Sequence, residues 1–231
     1  MKEYRFLLLD ADGTLLDFDQ DMLHAFQATY QACFGSQRPY SPRLLEIYER
    51  CNNRWWAKLE RGECTKPQLY AGRFQDFLRE TGLSGDPEEI NRAYFANLGQ
   101  GGALLPGALE LVRDLSQRYR LYIVTNGNAA SQRTRLAHSG LLPYVGDVFV
   151  SEDAGAAKPD KRYFDYVFSR IPGFEKEEDL LIGDSLTSDM RGAQNGGIDG
   201  LWYCPLGGEA PEDLSIPYRA ESFEAIRKLL L

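Results

Sequence analysis

Two pairs of carboxylates follow short apolar runs in this sequence. Positions 10–14 read DADGT, with acids at Asp10 and Asp12, and a second polar turn contains Asp184 and Asp189. If both turns lie at one edge of a sheet, their charges repel, because two unit charges roughly 4 Å apart cost about 4 kcal/mol at an effective dielectric near 20. A divalent cation would neutralise that repulsion, and carboxylate, carbonyl and water ligands favour Mg²⁺. The pattern therefore predicts a magnesium site formed by two strand ends.

Two further turns are suited to holding a phosphate group. Thr125 and Asn126 end an apolar run and precede a helical pattern, and the free N–H groups and hydroxyl at a helix start suit a phosphate. Lys158 comes directly before Pro159, which is predicted to lie in the first turn of a helix. An ammonium fixed there can reach both a phosphate and a carboxylate. Taken alone, the turn at Thr125 is a weak signal that an ordinary helix N-cap also explains. Without the other motifs, Lys158 would be better explained as a solvated surface lysine.

The elements that must position these residues are four short apolar runs. They cover residues 6–9, 121–124, 148–150 and 180–183. Such runs are typical of strands that are buried on both faces of a parallel sheet. In open α/β sheets the ligand binds beyond the carboxyl ends of the strands. We therefore predict an α/β core in which the polar turns converge on one site.

Residues 19–99 show a different pattern, with helical spacing and few β-branched runs. The pattern is interrupted at residues 35–41, 61–62 and 82–87. These breaks predict about four helices packed as a bundle. Because the segment lies between the first and second predicted strands, it is an insert, and the core comprises residues 1–18 and 100–231. In the core, Pro106 is expected to open a helix whose apolar face includes Leu109, and residues 223–231 are expected to form a closing helix.

The composition narrows the possible partners. The 231-residue chain has a formal net charge of −8 and no long basic tract, so DNA and RNA are poor partners, since binding a polyanion needs clustered Lys and Arg. No apolar stretch approaches the ~20 residues of a membrane span, and the start does not resemble a signal peptide. The four cysteines lack metal-finger spacing and are predicted to be reduced thiols. We expect a cytoplasmic protein with no membrane or nucleic-acid partner, and the sequence makes no prediction of the oligomeric state.

Four motifs occur along the chain in the order DxDGT, TNG, KPD and GDSxxSD, beginning at residues 10, 125, 158 and 183. This combination resembles the haloacid dehalogenase superfamily of phosphatases and phosphotransferases, and the resemblance extends over essentially the whole chain. It implies a Rossmann-like parallel sheet core with an α-helical bundle cap inserted after the first motif. The pattern of apolar runs and helical spacing predicts the same organisation.

The resemblance also implies roles for individual residues. By motif, Asp10 resembles the family's nucleophile, which forms an aspartyl-phosphate, and Asp12 resembles its general acid and base. Asp12 would protonate the leaving oxygen and then deprotonate the water that cleaves the intermediate. The phosphate-binding groups implied by the resemblance are Thr125, Asn126 and Lys158.

A magnesium ligand set follows from the same resemblance. The implied ligands of Mg²⁺ are Asp10, the backbone carbonyl of Asp12, and Asp184. Asp189 resembles a supporting acid that either reaches the metal through water or holds Lys158. The implied reaction is the hydrolysis of a small phosphomonoester.

Several stretches are more narrowly similar to cytosolic nucleotidases that act on pyrimidine nucleoside monophosphates. They are residues 10–19, 55–62, 72–74, 123–127, 135–141 and 151–159. The expected substrate is therefore a nucleoside 5′-monophosphate. Trp55 and Trp56 either stack on its base or pack inside the helical insert.

Two alternatives to a nucleotidase remain open at this point. One is a phosphatase or phosphomutase that acts on a sugar phosphate or on phosphoglycolate. The other is a non-catalytic regulatory or binding protein on the same fold. The second alternative predicts that at least one motif is damaged, and all four are intact.

Overall fold

The computed structural model describes residues 2–231, which contain six strands. The strands are β1 (Phe6–Leu9), β2 (Arg120–Thr125), β3 (Asp147–Val150), β4 (Asp179–Gly183), β5 (Asp199–Tyr203) and β6 (Tyr218–Ala220). They form one sheet in the order β3-β2-β1-β4-β5-β6, and all neighbouring pairs are parallel.

The α-helices, numbered along the chain, flank the sheet or form a separate bundle. They are α1 (Phe18–Phe34), α2 (Pro42–Glu60), α3 (Lys66–Thr81), α4 (Pro87–Leu98), α5 (Ala108–Leu115), α6 (Ala129–Ser139), α7 (Ser151–Ala154), α8 (Lys161–Phe168), α9 (Arg191–Gly196) and α10 (Phe223–Leu230). A π-helical turn over Leu186–Met190 leads into α9.

The central strand β1 is buried on both faces, as its unbroken apolar sequence predicts. Leu7 and Leu9 belong to the core cluster that includes α5 and α10, whereas Phe6 and Leu8 belong to the cluster that includes α8. Helices therefore cover both faces of the sheet, which is the arrangement that parallel strands require. The predicted Rossmann-like α/β fold is confirmed.

The register of the sheet brings the polar turns to one edge. Leu9 of β1 lies beside Ile123 of β2 and Ile182 of β4. The three strands run in the same direction and end close to this level, at Leu9, Thr125 and Gly183. The turns that follow them therefore lie at the same edge of the sheet. The carboxyl ends of β1, β2 and β4 carry the residues that the sequence marked for chemistry.

The chain divides into two compact units. One comprises the residues up to Phe18 together with Gly102–Leu231 and contains the sheet, and the other is the helical unit Asp19–Gly101. Within the helical unit, all of which is described, the helices are separated at the breaks that the sequence shows. Their core is aromatic, with the rings of Phe26 and Tyr48 stacked at 4.6 Å and those of Tyr48 and Phe74 at 5.4 Å between centroids.

Some elements differ from the sequence prediction. Strands β5 and β6 were not predicted, since β5 begins with Asp199 and Gly200 and β6 has only three residues. Pro106 does not open a helix, because Gly107, with φ of +88°, is the N-cap and α5 begins at Ala108. Pro159 likewise precedes the N-cap of α8.

Two findings bear on the predictions from composition. Among residues 2–231, no helix combines the length and the apolar character that crossing a bilayer requires. Cys33, Cys51, Cys64 and Cys204 are all free thiols, and two of them are buried.

Candidate active site

A buried lysine lies at the centre of the site. Lys158 is 2% exposed, and its Nζ donates to Asp10 Oδ1 at 2.6 Å, to Asp189 Oδ1 at 2.6 Å and to the carbonyl of Val124 at 2.9 Å. An ammonium has three protons, so all of its donors are used. The lysine therefore holds two carboxylates from distant parts of the chain in one place.

The charges in this cluster perturb each other strongly. Burial raises the pKa of Asp10 well above its usual range, the charge of Asp189 raises it further, and Lys158 opposes both effects. Burial by itself lowers the pKa of Lys158, but the carboxylates of Asp10 and Asp189 outweigh burial and raise it. The lysine therefore keeps its positive charge, whereas the Asp10 carboxyl resists ionisation.

Thr14 links the first and last motifs. Its hydroxyl lies 3.1 Å from Asp10 Oδ2 and 3.0 Å from Asp184 Oδ1, and it accepts a hydrogen bond from the Asp184 backbone N–H at 3.1 Å. Gly13 lies between the two acids with φ of +85°, and a side chain there would place its Cβ 2.7 Å from Asp184 Oδ2. The glycine in DADGT is therefore required by the close approach of Asp184. Burial and then the charge of Asp189 raise the pKa of Asp184 to about 6.

The acidic side chains are arranged so that they could share a cation. Asp10, Asp184 and Asp189 each offer a carboxylate oxygen, and these atoms lie within 4.8 Å of one another. Like charges at such distances oppose ionisation, and a bound divalent cation would reverse that effect. Hard oxygen ligands of this kind suit Mg²⁺. The donor set therefore fits the cation expected from the sequence.

Asp189 is engaged by the protein through both carboxylate oxygens. One of its oxygens accepts from Lys158, and the other accepts from the Ser185 backbone N–H at 3.0 Å. Its contact with Lys158 corresponds to one of the two roles considered for this residue. Asp10 and Asp184, the side chains predicted to bind the cation, lie in the same acidic cluster.

Asp12 lies apart from this acidic cluster and is held by helix α6. Its Oδ1 accepts from Arg135 Nη1 at 2.6 Å, and its Oδ2 accepts a short hydrogen bond from Gln132 Nε2. About a quarter of the Asp12 side chain is exposed, whereas that of Arg135 is fully buried. No role was predicted for Gln132 or Arg135, because polar residues on a helix ordinarily indicate a solvated face.

In the turn after β2, Thr125 and Asn126, both predicted to bind phosphate, also make hydrogen bonds within the protein. Thr125 is buried, and its hydroxyl accepts from the Gly127 backbone N–H at 3.1 Å. The Asn126 side chain donates to the Lys158 carbonyl at 2.8 Å and accepts from the Lys158 N–H at 2.9 Å. Its amide is thus engaged with the backbone of Lys158, and the observed contribution of Asn126 is to fix the loop that carries the lysine.

A residue on an unpredicted strand also supports the site. Trp202 of β5 donates from its indole Nε1 to the backbone carbonyl of Asp184 at 2.8 Å. The turn that carries Asp184 is therefore held from one side by Thr14 and from the other by Trp202. The run of Leu201, Trp202 and Tyr203 was the sequence signal for this strand, but it follows a glycine and is short.

The fold and site together define a class of protein, the enzymes in which acidic turns and one lysine converge at the carboxyl edge of a Rossmann-like sheet. Comparison with known families gives the particular one. The model of the haloacid dehalogenase-like hydrolases matches residues 4–197, and the chain belongs to this family.

Individual relatives are consistent with this assignment. The chain is 40% identical to the HAD hydrolase YfnB of Bacillus subtilis (strain 168), over 89% of this chain and 86% of the relative. It is 39% identical to the pyrimidine 5′-nucleotidase PynA of Streptococcus pneumoniae (strain ATCC BAA-255 / R6), over 87% of this chain and 84% of the relative. It is 28% identical to the pyrimidine 5′-nucleotidase YjjG of Escherichia coli (strain K12), over 99% of this chain and 98% of the relative. A crystal structure of YfnB bound to magnesium superposes with a TM-score of 0.93 at 37% identity and 99% coverage of both chains. The chain is therefore an enzyme, a phosphatase of the haloacid dehalogenase family.

Proposed function

We propose that this protein is a Mg²⁺-dependent phosphatase that hydrolyses pyrimidine nucleoside 5′-monophosphates through an aspartyl-phosphate on Asp10. The observation that carries the proposal is the contact of Lys158 with both Asp10 and Asp189, beside Asp184. A carboxylate attacks a phosphate dianion only if the negative charges are balanced, and this cluster supplies a fixed cation at that point. The pyrimidine nucleotidases PynA and YjjG support the substrate class, and the magnesium in YfnB supports the metal.

The reaction proceeds in two displacements. A carboxylate oxygen of Asp10 attacks phosphorus, the P–O bond to the nucleoside breaks, and the leaving oxygen takes a proton from Asp12. A water molecule then gives a proton to Asp12 and attacks the same phosphorus, which releases inorganic phosphate and restores Asp10. Lys158 stays in contact with Asp10 and offsets the charge that develops on the phosphoryl oxygens. When bound, Mg²⁺ would be held by Asp10, Asp184 and the Asp12 carbonyl, and it supplies further charge neutralisation.

We further propose that the helical unit selects the nucleoside. Trp55 is used within that unit, since its indole donates to Asp76 Oδ2 at 3.0 Å and the Lys58 ammonium lies 4.2 Å from its ring centroid. Gly72 also packs directly against the Trp55 ring. Trp55 therefore fits the interpretation as a packing residue, and half-buried Trp56 is the better candidate for stacking on a base.

The proposal is tested by measuring phosphate release from a panel of esters. The panel contains dUMP, dTMP, purine nucleoside monophosphates, a sugar phosphate and phosphoglycolate, each assayed with Mg²⁺ and with EDTA. We expect preferred release from dUMP or dTMP and loss of release in EDTA. Preferred release from the sugar phosphate or from phosphoglycolate would instead assign the alternative substrate class.

A variant of the nucleophile tests the mechanism in the same assay. Asp10→Asn should abolish turnover while the far-ultraviolet circular dichroism stays unchanged. The matched control is Asp165→Asn, which alters an exposed aspartate paired with Lys161 and should retain full activity. Full activity of Asp10→Asn would eliminate the aspartyl-phosphate.

A further inference from the structure

Two side chains of helix α6 donate hydrogen bonds to the two oxygens of the Asp12 carboxylate. Gln132 and Arg135 are three residues apart and therefore lie on the same face of the helix. Arg135 Nη1 donates to Asp12 Oδ1 at 2.6 Å, and Gln132 Nε2 donates to Asp12 Oδ2. Both donors are almost completely buried, at 0% and 1% exposure. We refer to Gln132 and Arg135 together as the Asp12 clamp.

The clamp residues are closely packed. At Gly127 a Cβ would clash with Gln132 Nε2, and at Gly102 a Cβ would lie 2.6 Å from the backbone carbonyl oxygen of Arg135. The Phe18 ring centroid lies 5.7 Å from the Arg135 guanidinium carbon. Gly127 therefore packs against the Gln132 donor itself, whereas Gly102 packs against the backbone of Arg135, and these contacts help to hold the two side chains in place.

The clamp fixes the orientation of the carboxylate while leaving it able to react. A hydrogen bond to each oxygen determines the rotation of the carboxylate plane as well as its position. Each oxygen has two acceptor sites, and the clamp uses one on each, so one site per oxygen stays available to hold the proton that passes to the leaving group or is taken from water. The charge-assisted bond from Arg135 is also of the stronger kind.

We propose that Gln132 and Arg135 are positioning residues that orient the Asp12 carboxylate toward the ester oxygen in the first displacement and toward the attacking water in the second. This inference rests on the proposed function, because it assumes that Asp12 transfers those protons. Neither clamp residue is expected to touch the substrate. Their effect should therefore appear in the proton-transfer steps and not in substrate binding.

The experiment compares two leaving groups. The ratio kcat/KM reports the steps up to departure of the leaving group. The 5′-oxygen of dUMP needs a proton in order to leave, whereas p-nitrophenolate leaves without one. Arg135→Met and Gln132→Leu should lower kcat/KM for dUMP by roughly 10²-fold, the usual cost of misplacing a catalytic group by about 1 Å. For p-nitrophenyl phosphate, kcat/KM should fall by less than roughly fivefold. The value of kcat should fall with both esters, because the water that cleaves the intermediate still needs Asp12 as its base.

Three further variants separate positioning from a general structural role. Arg133→Met is the matched control, since Arg133 is on the same helix but is exposed and paired with Asp153, and it should leave both esters unaffected. Arg135→Lys keeps a positively charged hydrogen-bond donor and should retain part of the kcat/KM for dUMP that Arg135→Met loses. In an Asp12→Asn background, Arg135→Met should cause no further loss, because groups that act through one another are not additive.

Each outcome decides one question. Equal losses on the two esters, or a full additional loss in the Asp12→Asn background, would overturn the clamp as a positioning device. If Arg135→Met does not fold, Gln132→Leu and Arg135→Lys decide in its place. If the wild-type enzyme releases no phosphate from either ester, the proposed function fails and the clamp fails with it. If the wild type is active and Asp12→Asn is impaired, but the clamp variants behave like wild type, only the clamp is refuted.

Discussion

Replacing Asp179 by Asn should stabilise the protein, and the gain should grow with pH. Asp179 is the first residue of β4, is fully buried, and neither of its carboxyl oxygens has a hydrogen-bond partner in the described part of the chain. Burial raises the pKa of this carboxyl well above its ordinary value of 3.8. Because an ionised carboxylate is poorly tolerated there, the folded protein retains a proton that the unfolded chain releases.

The sign and size of the effect follow from that retained proton. The stability that protonated Asp179 contributes is fully present below its unfolded pKa and is lost as the pH rises through its folded pKa. Between those two pKa values, one extra bound proton costs the wild type about 1.4 kcal/mol of unfolding free energy for each pH unit. Asp179→Asn has nearly the same shape and cannot ionise. Its advantage over the wild type should therefore be small near pH 4 and increase with that slope.

The measurement is urea unfolding of both proteins at several pH values between 4.5 and 8. Asp10 and Asp184 titrate in both proteins and follow the carboxyl ends of β1 and β4, whereas Asp179 begins β4, so their contributions cancel in the difference. Asp147→Asn is the matched control, since Asp147 also opens a parallel strand but is exposed. A difference between wild type and Asp179→Asn that does not change with pH, or that decreases, would refute the reasoning.

Two more substitutions test other parts of the structure. Lys158→Met removes the cation between two buried carboxylates and should destabilise the protein by about 3–5 kcal/mol, the usual cost of breaking a buried pair. Adding Asp189→Asn to this variant should restore part of the lost free energy of unfolding, measured with urea. If the double variant is no more stable than Lys158→Met, the pairing of Lys158 with Asp189 is contradicted. Trp56→Ala should raise KM for dUMP far more than KM for p-nitrophenyl phosphate. Trp55→Ala should change KM for the two esters to a similar extent. A similar rise in KM for both esters with Trp56→Ala would argue against base stacking.

The four predicted strands and the polar residues at their carboxyl ends were predictable because each signal lies within one short stretch of sequence. A short apolar run followed by a polar turn, as at residues 6–14 and 180–189, contains both the strand and the group that it presents. Parallel pairing then brings such turns together without any further information. Strands β5 and β6 were missed because the same local signal is weak there: β5 starts with a polar residue and a glycine, and β6 is too short to show a pattern.

The partners of the predicted residues were not accessible in this way. The contact between Asp12 and Arg135 joins residues 123 positions apart, and whether a polar residue on a helix faces solvent or the site depends on how the helix is rotated against the sheet. Asn126 illustrates the same limit. Its motif suits a phosphate, and its amide also forms two hydrogen bonds with the backbone of Lys158, a contact that no local pattern encodes.

Helix α6 connects two functions that the motifs describe separately. It begins directly after the turn of Thr125 and Gly127, and one turn further along, Gln132 reaches Asp12. Since Gly127 lies against the Gln132 amide with no space for a side chain, the predicted phosphate turn and the Asp12 clamp are parts of one packed unit. A rigid-body displacement of α6 would therefore change the predicted phosphate turn and the orientation of the Asp12 carboxylate together.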